Sequence, residues 1–302
     1  MKATAIAPAN IAFIKYWGRV DAALRIPSNP SISMNLSACT TTTTVEFSPG
    51  LKHDVISEGF DAARITAHLN RLRERAGSAL FCRVETHNSF PASAGIASSA
   101  SGFAALTVAA AAALGLRLSE RELAAFARLG SGSACRSIPD GFVKWEGEYA
   151  RSLYPPDWWD VRDIIVMVES TTKKVSSSEG HDKAATSPFF HKRLDALPRR
   201  IARLERALNE KNIQELGEVI EEECLDMHHV MQTQSPPLYY WTGETVNIME
   251  LVKKRTVPAY FTIDAGPNAH VICEGKDEAR VVELLKGRTL IINKPAAGAH
   301  II

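Results

Sequence analysis

The 302-residue sequence predicts an α+β fold, and three observations lead to that prediction. Strand-like segments separated by Pro, Asn and Gly fill the first third, where five consecutive threonines at 40–44 are β-branched residues that favour strands. The alanine-rich stretch 98–114 has a high helix propensity. Beyond about residue 178, charged amphipathic helices and further strands follow without the regular alternation of a doubly wound sheet.

Periodicity and end signals define the other elements of the first half. A helix is expected over Ala62–Ala76, where apolar residues recur on one face. Another is expected to begin at Ser119, because the Ser-Glu-Arg-Glu segment 119–122 matches a capping box, and to end by Gly130. Strands are expected at 3–7, 31–36, 40–47, 81–86, 141–145 and 163–168.

The second half is predicted to contain a helix pair next to an antiparallel sheet, which indicates a second α+β domain. We expect one domain over residues 1–178 and the other over residues 179–302. Helices are expected at 191–197, 199–208, 213–231 and 277–285, and strands at 259–264, 269–273 and 289–292.

Composition excludes several classes of protein. The 35 Lys and Arg nearly balance the 34 Asp and Glu, so no overall field favours nucleic acid or an anionic membrane as a partner. The longest apolar stretch, 103–116, is shorter than the ~20 residues that span a bilayer. The first ten residues lack a signal-peptide pattern, and the five cysteines are scattered. We therefore expect a protein of the cytoplasm, with reduced thiols.

Residues 91–102, Pro-Ala-Ser-Ala-Gly-Ile-Ala-Ser-Ser-Ala-Ser-Gly, lie between a predicted strand and a predicted helix. Small residues allow close approach to a ligand, and free N–H groups at a helix start bind anions. The hydroxyls of Ser98 and Ser99 add donors, so the segment is a candidate phosphate loop. On this segment alone, the alternative is a tight packing contact. The sequence contains no Gly-x-x-x-x-Gly-Lys-Ser/Thr motif, which excludes the P-loop of nucleoside triphosphatases. The segment 130–132, Gly-Ser-Gly, lacks the third glycine and the preceding strand of a dinucleotide-binding fingerprint.

Three further segments carry candidate functional residues. Arg136 follows a Gly/Ser turn at 130–133 and suits bidentate binding of a carboxylate or phosphate; the alternative is a solvated turn. Lys15 lies among aromatic residues, so it needs an anionic partner or must extend to solvent. Asp264 ends an apolar strand at a turn, where a carboxylate can act as a base or simply cap the turn.

The helix predicted at 213–231 carries the acidic run 221–223 next to His228 and His229. Adjacent histidines point about 100° apart on a helix, so they do not form the i, i+4 pair of a zinc site. We expect no metal site here, and we interpret the acidic run as a solvated helix face.

In their order along the chain, these segments resemble the mevalonate diphosphate decarboxylases of the GHMP kinase superfamily over nearly the whole length. The resemblance implies an N-terminal GHMP kinase domain, a ferredoxin-like C-terminal domain and the homodimer that is usual in the family. It rests on Ala-Pro-Ala-Asn-Ile-Ala-Phe-Ile-Lys-Tyr-Trp-Gly at 7–18, on 88–106, on Gly-Ser-Gly-Ser-Ala-Cys-Arg-Ser at 130–137, on Lys-Val-Ser-Ser at 174–177 and on Asp-Ala-Gly-Pro-Asn at 264–268.

The resemblance implies ATP-dependent decarboxylation of a 5-phosphorylated mevalonate, with Mg²⁺ neutralising the phosphates of ATP. It implies that Asp264 orients or deprotonates the 3-hydroxyl, that Lys15 stabilises developing negative charge and that Arg136 holds the C1 carboxylate. The implied substrate-binding residues are Asn10, Tyr16, Arg19, Arg64, Ser131, Ser133 and Ser177, and the implied ATP-binding residues are Gly95, Ala97, Ser98, Ser99 and Ser101.

The sequence departs from the family pattern in the region expected to hold the substrate's phosphates. Arg19-Val20 stands where the family usually has Lys followed by a small or basic residue, and Pro30 stands where Asn or Ser is common. Ser178 stands where some members have Arg, and His181 where Met is usual. A diphosphate needs more cationic donors than a monophosphate. The loss of one or two such donors makes mevalonate 5-phosphate an alternative substrate. Mevalonate 5-diphosphate stays the expected substrate, because it is the usual one in the family that the sequence resembles. A 3-hydroxyl kinase that does not decarboxylate and a non-catalytic ligand sensor are further alternatives.

Overall fold

The computed structural model describes residues 1–58, 61–91, 98–168 and 177–302. In these ranges the chain forms a seven-stranded sheet, a four-stranded sheet and a separate two-stranded hairpin. Helices pack against both larger sheets, so the predicted α+β class is confirmed.

The first sheet is built around two long antiparallel strands, β1 (Lys2–Ile14) and β4 (Ser31–Ser48). The threonines at 40–44 lie within β4, as their β-branched side chains predict. The hairpin β2 (Arg19–Asp21) and β3 (Ile26–Pro27) lies between β1 and β4 in the chain. The other strands of this sheet are β5 (Val55–Ile56), β6 (Phe81–Asn88), β7 (Phe142–Glu146), β8 (Tyr149–Tyr154) and β13 (His300–Ile301). Their order is β13-β1-β4-β6-β5, and β7 links β4 to β8.

Three helices cover the first sheet, and local signals define their ends. The helix α1 (Ala62–Ala76) begins where the Asp61 side chain accepts from the Arg64 N–H. The helix α2 (Ser98–Ala113) is buried along most of its length and packs on β1 and β4. The helix α3 (Glu120–Gly130) has the predicted capping box at Ser119. A 3₁₀ helix follows at Gly132–Ser137.

The second sheet is antiparallel and has four strands, β9 (Val161–Val166), β10 (Ala259–Thr262), β11 (Ala269–Glu274) and β12 (Leu290–Asn293). Their order in the sheet is β10-β11-β9-β12. The helices of this half are α4 (Ser177–Lys183), α5 (Phe190–Glu210), α6 (Ile213–Thr233), α7 (Gly243–Lys253) and α8 (Glu278–Leu284). Side chains of α6 share an apolar cluster with Ile11 and Phe13 of β1, so the end of β1 lies against that helix.

The prediction of two helices at 191–197 and 199–208 is wrong, because α5 continues through Pro198. Proline removes one backbone hydrogen bond, but packing of Leu197, Ile201 and neighbouring residues against α6 offsets that loss. The expected domain boundary at residue 178 lies beyond β9, which belongs to the second sheet. The sequence patterns also missed β8 and α7.

We find no helix in the described ranges that is both long enough and apolar enough to cross a membrane.

Candidate active site

Lys15 and Asp264 meet where the two sheets approach each other. Lys15 is the first residue after β1, and Asp264 lies just beyond β10. Lys15 Nζ lies 2.5 Å from Asp264 Oδ1; the Lys15 side chain is 1% exposed and that of Asp264 is 27% exposed. Burial alone favours the neutral acid, but Lys15, His270 and Arg136 outweigh it and hold the pKa of Asp264 below its ordinary value. Asp264 is therefore an ionised base open to a ligand.

Arg136 is buried in the 3₁₀ helix and held by neutral acceptors. Its Nε and Nη2 donate to Asn10 Oδ1 at 3.1 and 3.0 Å, and its Nη1 donates to Ser31 Oγ at 2.7 Å. Asn10 is itself fixed, since its Nδ2 donates to Ser137 Oγ at 2.8 Å. Burial lowers the pKa of Arg136, although Asp264 is near enough to oppose that shift. Among the described residues no carboxylate forms an ion pair with Arg136, so its charge can hold an anionic ligand.

Tyr16, Arg19 and His181 form a packed group beside the Lys15–Asp264 pair. Arg19 Nε donates to the Tyr16 hydroxyl at 2.8 Å, and the ring of Tyr16 stacks on that of His181 with centroids 4.0 Å apart. The Gly18 N–H donates to His181 Nδ1 at 3.1 Å, which requires a neutral ring nitrogen. Burial, followed by the charges of Arg19 and Arg25, holds the pKa of His181 well below its ordinary value. The imidazole is therefore neutral, and it orients Tyr16.

Arg25 is a candidate site residue that the sequence reasoning missed. It is the last residue of the turn between β2 and β3, with a left-handed φ of 53°. Its Nε donates to the Leu129 carbonyl at 3.2 Å, and Arg64 Nη2 donates to the adjacent Gly130 carbonyl at 3.2 Å. Burial and then the charges of Arg19 and Arg64 lower the pKa of Arg25. Arg19, Arg25 and Arg64 thus form a cationic cluster at the end of α3, a position that no local pattern in the sequence indicates.

Ser98 and Ser99, at the start of α2, lie beside a cavity. Ser99 Oγ is 3.2 Å from Ser131 Oγ, so the predicted phosphate loop and the Gly/Ser turn are in contact. The cavity has a volume of about 250 Å³. Apolar side chains and hydroxyls both line it, which suits a ligand with a ring and polar edges. Its lining includes Thr43, Asp61, Arg64, Ile65, Thr86, Ser98, Ser99 and Phe103.

Other residues expected in the site have different positions. The Ser101 side chain is fully buried, and its hydroxyl lies 2.6 Å from Thr41 Oγ1, so it packs α2 against β4 rather than facing the cavity. Ser133 meets Asn10 through its carbonyl, at 3.3 Å. Ser177 begins α4. Gly95 and Ala97 lie outside the described residues.

The interpretation of the acidic run on α6 as a solvated face is wrong for two of its three residues. The exposed fractions of Glu221 and Glu223 are 9% and 0%, whereas the Glu222 side chain is 44% exposed. Glu221 pairs with Arg255 and accepts from the Phe261 N–H at 3.0 Å. Each buried carboxylate has an arginine partner far along the chain, which a local charge pattern does not reveal.

Comparison with known proteins gives consistent matches along the chain. Residues 7–152 match the family model for the diphosphomevalonate decarboxylase-like N-terminal domain, and residues 163–296 match that for the mevalonate 5-diphosphate decarboxylase C-terminal domain. A diphosphomevalonate decarboxylase of Candida albicans is 33% identical over 94% of this chain and 87% of its own length. The human diphosphomevalonate decarboxylase is 34% identical over 88% of this chain and 75% of its own length.

Solved structures give matches over the whole chain. The mevalonate diphosphate decarboxylase of Staphylococcus aureus is 36% identical, with a TM-score of 0.94 over 100% of this chain and 98% of that one. MDDEF in complex with MVAPP, AMPPCP and magnesium is 34% identical, with a TM-score of 0.94 over 100% of this chain and 99% of that one.

Proposed function

Because the chain belongs to the diphosphomevalonate decarboxylase family of ATP-dependent carboxy-lyases, we propose that it converts mevalonate 5-diphosphate and ATP into isopentenyl diphosphate, CO₂, phosphate and ADP, a step of isoprenoid biosynthesis. The observation that carries this proposal is the ion pair of Lys15 with the ionised, partly exposed Asp264. Arg136, which donates to the neutral side chains of Asn10 and Ser31, adds a positive charge near that pair. The site therefore combines a base with two cations.

Asp264 starts the reaction on the substrate's 3-hydroxyl. It accepts the hydroxyl proton while the hydroxyl oxygen bonds to the γ-phosphorus of ATP and the bond from that phosphorus to ADP breaks. Lys15, which donates to Asp264 Oδ1, stabilises the negative charge that develops on the oxygen. The buried position of Lys15 keeps this charge in place without solvent screening.

The second step breaks two bonds and forms a double bond. The bond between C1 and C2 breaks to release CO₂, its electron pair forms the C2–C3 double bond, and the bond from C3 to the phosphate oxygen breaks. Arg136 orients the C1 carboxylate, since its three donor nitrogens are fixed by Asn10 and Ser31. A kinase that stopped after phosphoryl transfer would not need this second anion site, so Arg136 favours decarboxylation.

ATP is assigned to the start of α2 and the adjacent cavity. Ser98 and Ser99 contact the phosphates, and the cavity of about 250 Å³ beside them receives the nucleoside. In the described ranges no group of three or more His, Cys, Asp or Glu side chains could hold a metal alone. The hydroxyls of Ser98 and Ser99 are hard oxygen donors that fit Mg²⁺ shared with ATP phosphates. When bound, Mg²⁺ neutralises the charge on those phosphates.

The cationic cluster of Arg19, Arg25 and Arg64 binds the 5-diphosphate. Tyr16 lies against Arg19 and adds a hydroxyl at the same place. The three guanidinium groups supply the dense positive charge that a diphosphate needs. Val20, which is 72% exposed, carries no charge at a position where the family has a small or basic residue, and Arg25 supplies a cation nearby in the chain. This supports mevalonate 5-diphosphate over the 5-phosphate.

We further infer that the protein is a cytoplasmic homodimer, as the resemblance to the family implies. Its balanced charge and reduced cysteines fit that location, and all five cysteines are free and buried. Light scattering coupled to size-exclusion chromatography tests the assembly, and a monomer at working concentrations would contradict it.

The test of the proposed function is a parallel assay with mevalonate 5-diphosphate and mevalonate 5-phosphate in the presence of ATP and Mg²⁺. We expect equal amounts of ADP, phosphate and CO₂, with a higher kcat/KM for the diphosphate. Release of ADP without CO₂ and phosphate would identify a kinase. A higher kcat/KM for the monophosphate would assign the alternative substrate.

A further inference from the structure

The backbone of Lys15 is held by side chains rather than by a strand. Since β1 ends at Ile14, the N–H and C=O of Lys15 need other partners. The N–H donates to Glu223 Oε1 at 3.2 Å. The C=O accepts from Arg193 Nη2 at 2.9 Å and from Asn29 Nδ2 at 2.9 Å. Both backbone groups are therefore bound by residues of α5 and α6, which cover the other sheet.

Arg193 and Glu223 form an ion pair that is sealed from solvent, with side chains 1% and 0% exposed. Arg193 Nη2 donates to Glu223 Oε1, the same oxygen that accepts from Lys15. Arg200 Nη1 donates to the second oxygen, Oε2, at 3.0 Å. Every oxygen of the buried carboxylate is thus used, and the group has a single orientation.

Stability alone does not account for this pair. Removing two charges from water costs about as much as their attraction returns, so apolar side chains of similar size often stabilise a fold equally well. Neutral side chains could also bind the N–H and C=O of Lys15. What an ion pair does supply, when both carboxylate oxygens accept hydrogen bonds, is a fixed geometry. The residue held in that geometry is Lys15, whose Nζ lies 2.5 Å from Asp264 Oδ1.

We propose that the Arg193–Glu223 pair consists of positioning residues, which hold the backbone of Lys15 so that its ammonium group stays against Asp264. The proposal rests on the proposed function, in which Lys15 and Asp264 act on the 3-hydroxyl. Lys15 comes from the first sheet and Asp264 from the second, so their contact depends on how α5 and α6 sit against β1. The pair therefore connects α5 and α6 to Lys15, which directly follows β1.

The test compares Glu223→Gln with Glu222→Gln, its neighbour on α6. Glu222 belongs to the same row of ion pairs, through Arg200 and Arg203, but does not touch Lys15. We expect E223Q to lower kcat by roughly 10- to 100-fold, because small misplacements of catalytic groups have effects of that size. KM for both substrates should change little, and the acid limb of the kcat profile should move to higher pH as Asp264 loses its close cation. E222Q should match the wild type in all three measurements.

A purely structural role predicts a different pattern for E223Q: a lower melting temperature with wild-type kcat and an unchanged pH profile. That result would overturn the proposal. If E223Q does not fold, the double variant R193M/E223L, with apolar side chains in place of the pair, takes its place. It also loses the contacts to Lys15, so a folded double variant with wild-type kcat would equally overturn the proposal, and a loss of kcat with unchanged KM would support it.

The wild-type enzyme in the same assay separates this inference from the proposed function. If the wild type releases no CO₂ from either phosphorylated mevalonate, the proposed function fails. If the wild type turns over and E223Q equals it, only the positioning role fails.

Discussion

Lys15 and Asp264 meet as opposite charges that neutralise each other, whereas Arg19, Arg25 and Arg64 gather as like charges at the end of α3. In the first region Lys15 is bound through its side chain, its N–H and its C=O. In the second, Arg19 pairs with the Asp182 carboxylate at 3.3 Å. Arg25 and Arg64 donate to the backbone carbonyls of the last residues of α3, which carry only partial charge.

This difference separates two kinds of function. A neutralised, rigid pair is ready for a reaction in which charge moves, so its loss should lower kcat. A cluster with excess positive charge is ready for an anion that arrives with the substrate, so its loss should raise KM. Variants of the two regions should therefore fall into two kinetic classes.

The largest effect is expected for Asp264→Asn. The amide keeps the shape but cannot accept the 3-hydroxyl proton, so kcat should fall by about 10³-fold or more, consistent with the loss of a general base and its charge. Binding of ATP, measured by calorimetry, should stay close to that of the wild type. A D264N variant with near-normal kcat would remove Asp264 from the mechanism.

Arg136→Gln should produce the next largest effect. Glutamine can still hydrogen-bond Asn10, but it lacks the charge that holds the C1 carboxylate, so kcat/KM should fall by roughly 10²- to 10³-fold. The measurement is CO₂ release with ADP followed in parallel. The control is Lys144→Gln, in which the removed cation pairs with Glu205 outside the site. Equal activity of R136Q and K144Q would contradict the role of Arg136.

Arg25→Met should affect binding rather than chemistry. It removes one of the three guanidinium groups, so KM for mevalonate 5-diphosphate should rise about tenfold, the value of one charge-assisted contact. KM for the 5-phosphate should rise less, and kcat should hardly change. Arg75→Met, on the exposed face of α1, is the matched control. An unchanged KM in R25M would place the diphosphate outside the cluster.

These regions also differ in how far the sequence could predict them. The segments that contain Lys15, Arg136 and Asp264 each have a structural alternative when taken alone. Their order along the chain carries the family resemblance, which implies their roles. The ends of α1 and α3 were predictable because Asp61 and Ser119 form caps with residues three positions away. Chemistry that depends on neighbours in the chain is visible in the sequence.

Features that depend on distant partners were not visible. Arg25 joins the cluster only because the β2–β3 hairpin brings it to the end of α3, 104 residues away in the chain. In the sequence Glu223 belongs to an acidic run that is typical of a charged surface. In the fold it accepts hydrogen bonds from Arg193 and from the Lys15 N–H. Pro198 predicts a helix break that packing against α6 prevents. In each case tertiary contacts decide the outcome.

The smallest expected effect is on the pH dependence of the free energy of unfolding. Each of the two regions contains a neutral, buried histidine. His181 stacks on Tyr16 in the second region, and His228 Nε2 lies 3.2 Å from the Ile263 carbonyl in the first. Burial lowers the pKa of His228 to about 3 and that of His181 well below its ordinary value. The unfolded chain binds protons at these residues below about pH 6.5, while the folded chain does not, so the free energy of unfolding falls as pH decreases below that point.

His181→Met tests one of these contributions, since methionine can fill the space without titrating. Between about pH 6 and pH 4.5, the free energy of unfolding of the wild type should fall more steeply than that of H181M, by up to about 1.4 kcal/mol per pH unit. Urea unfolding at several pH values measures this slope. His191→Met is the control. The contacts with the Tyr16 ring and the Gly18 N–H, which fit a neutral imidazole, are made by His181 and not by His191. If both variants gave the wild-type slope, His181 would be protonated in the folded protein, and Gly18 could not donate to its Nδ1.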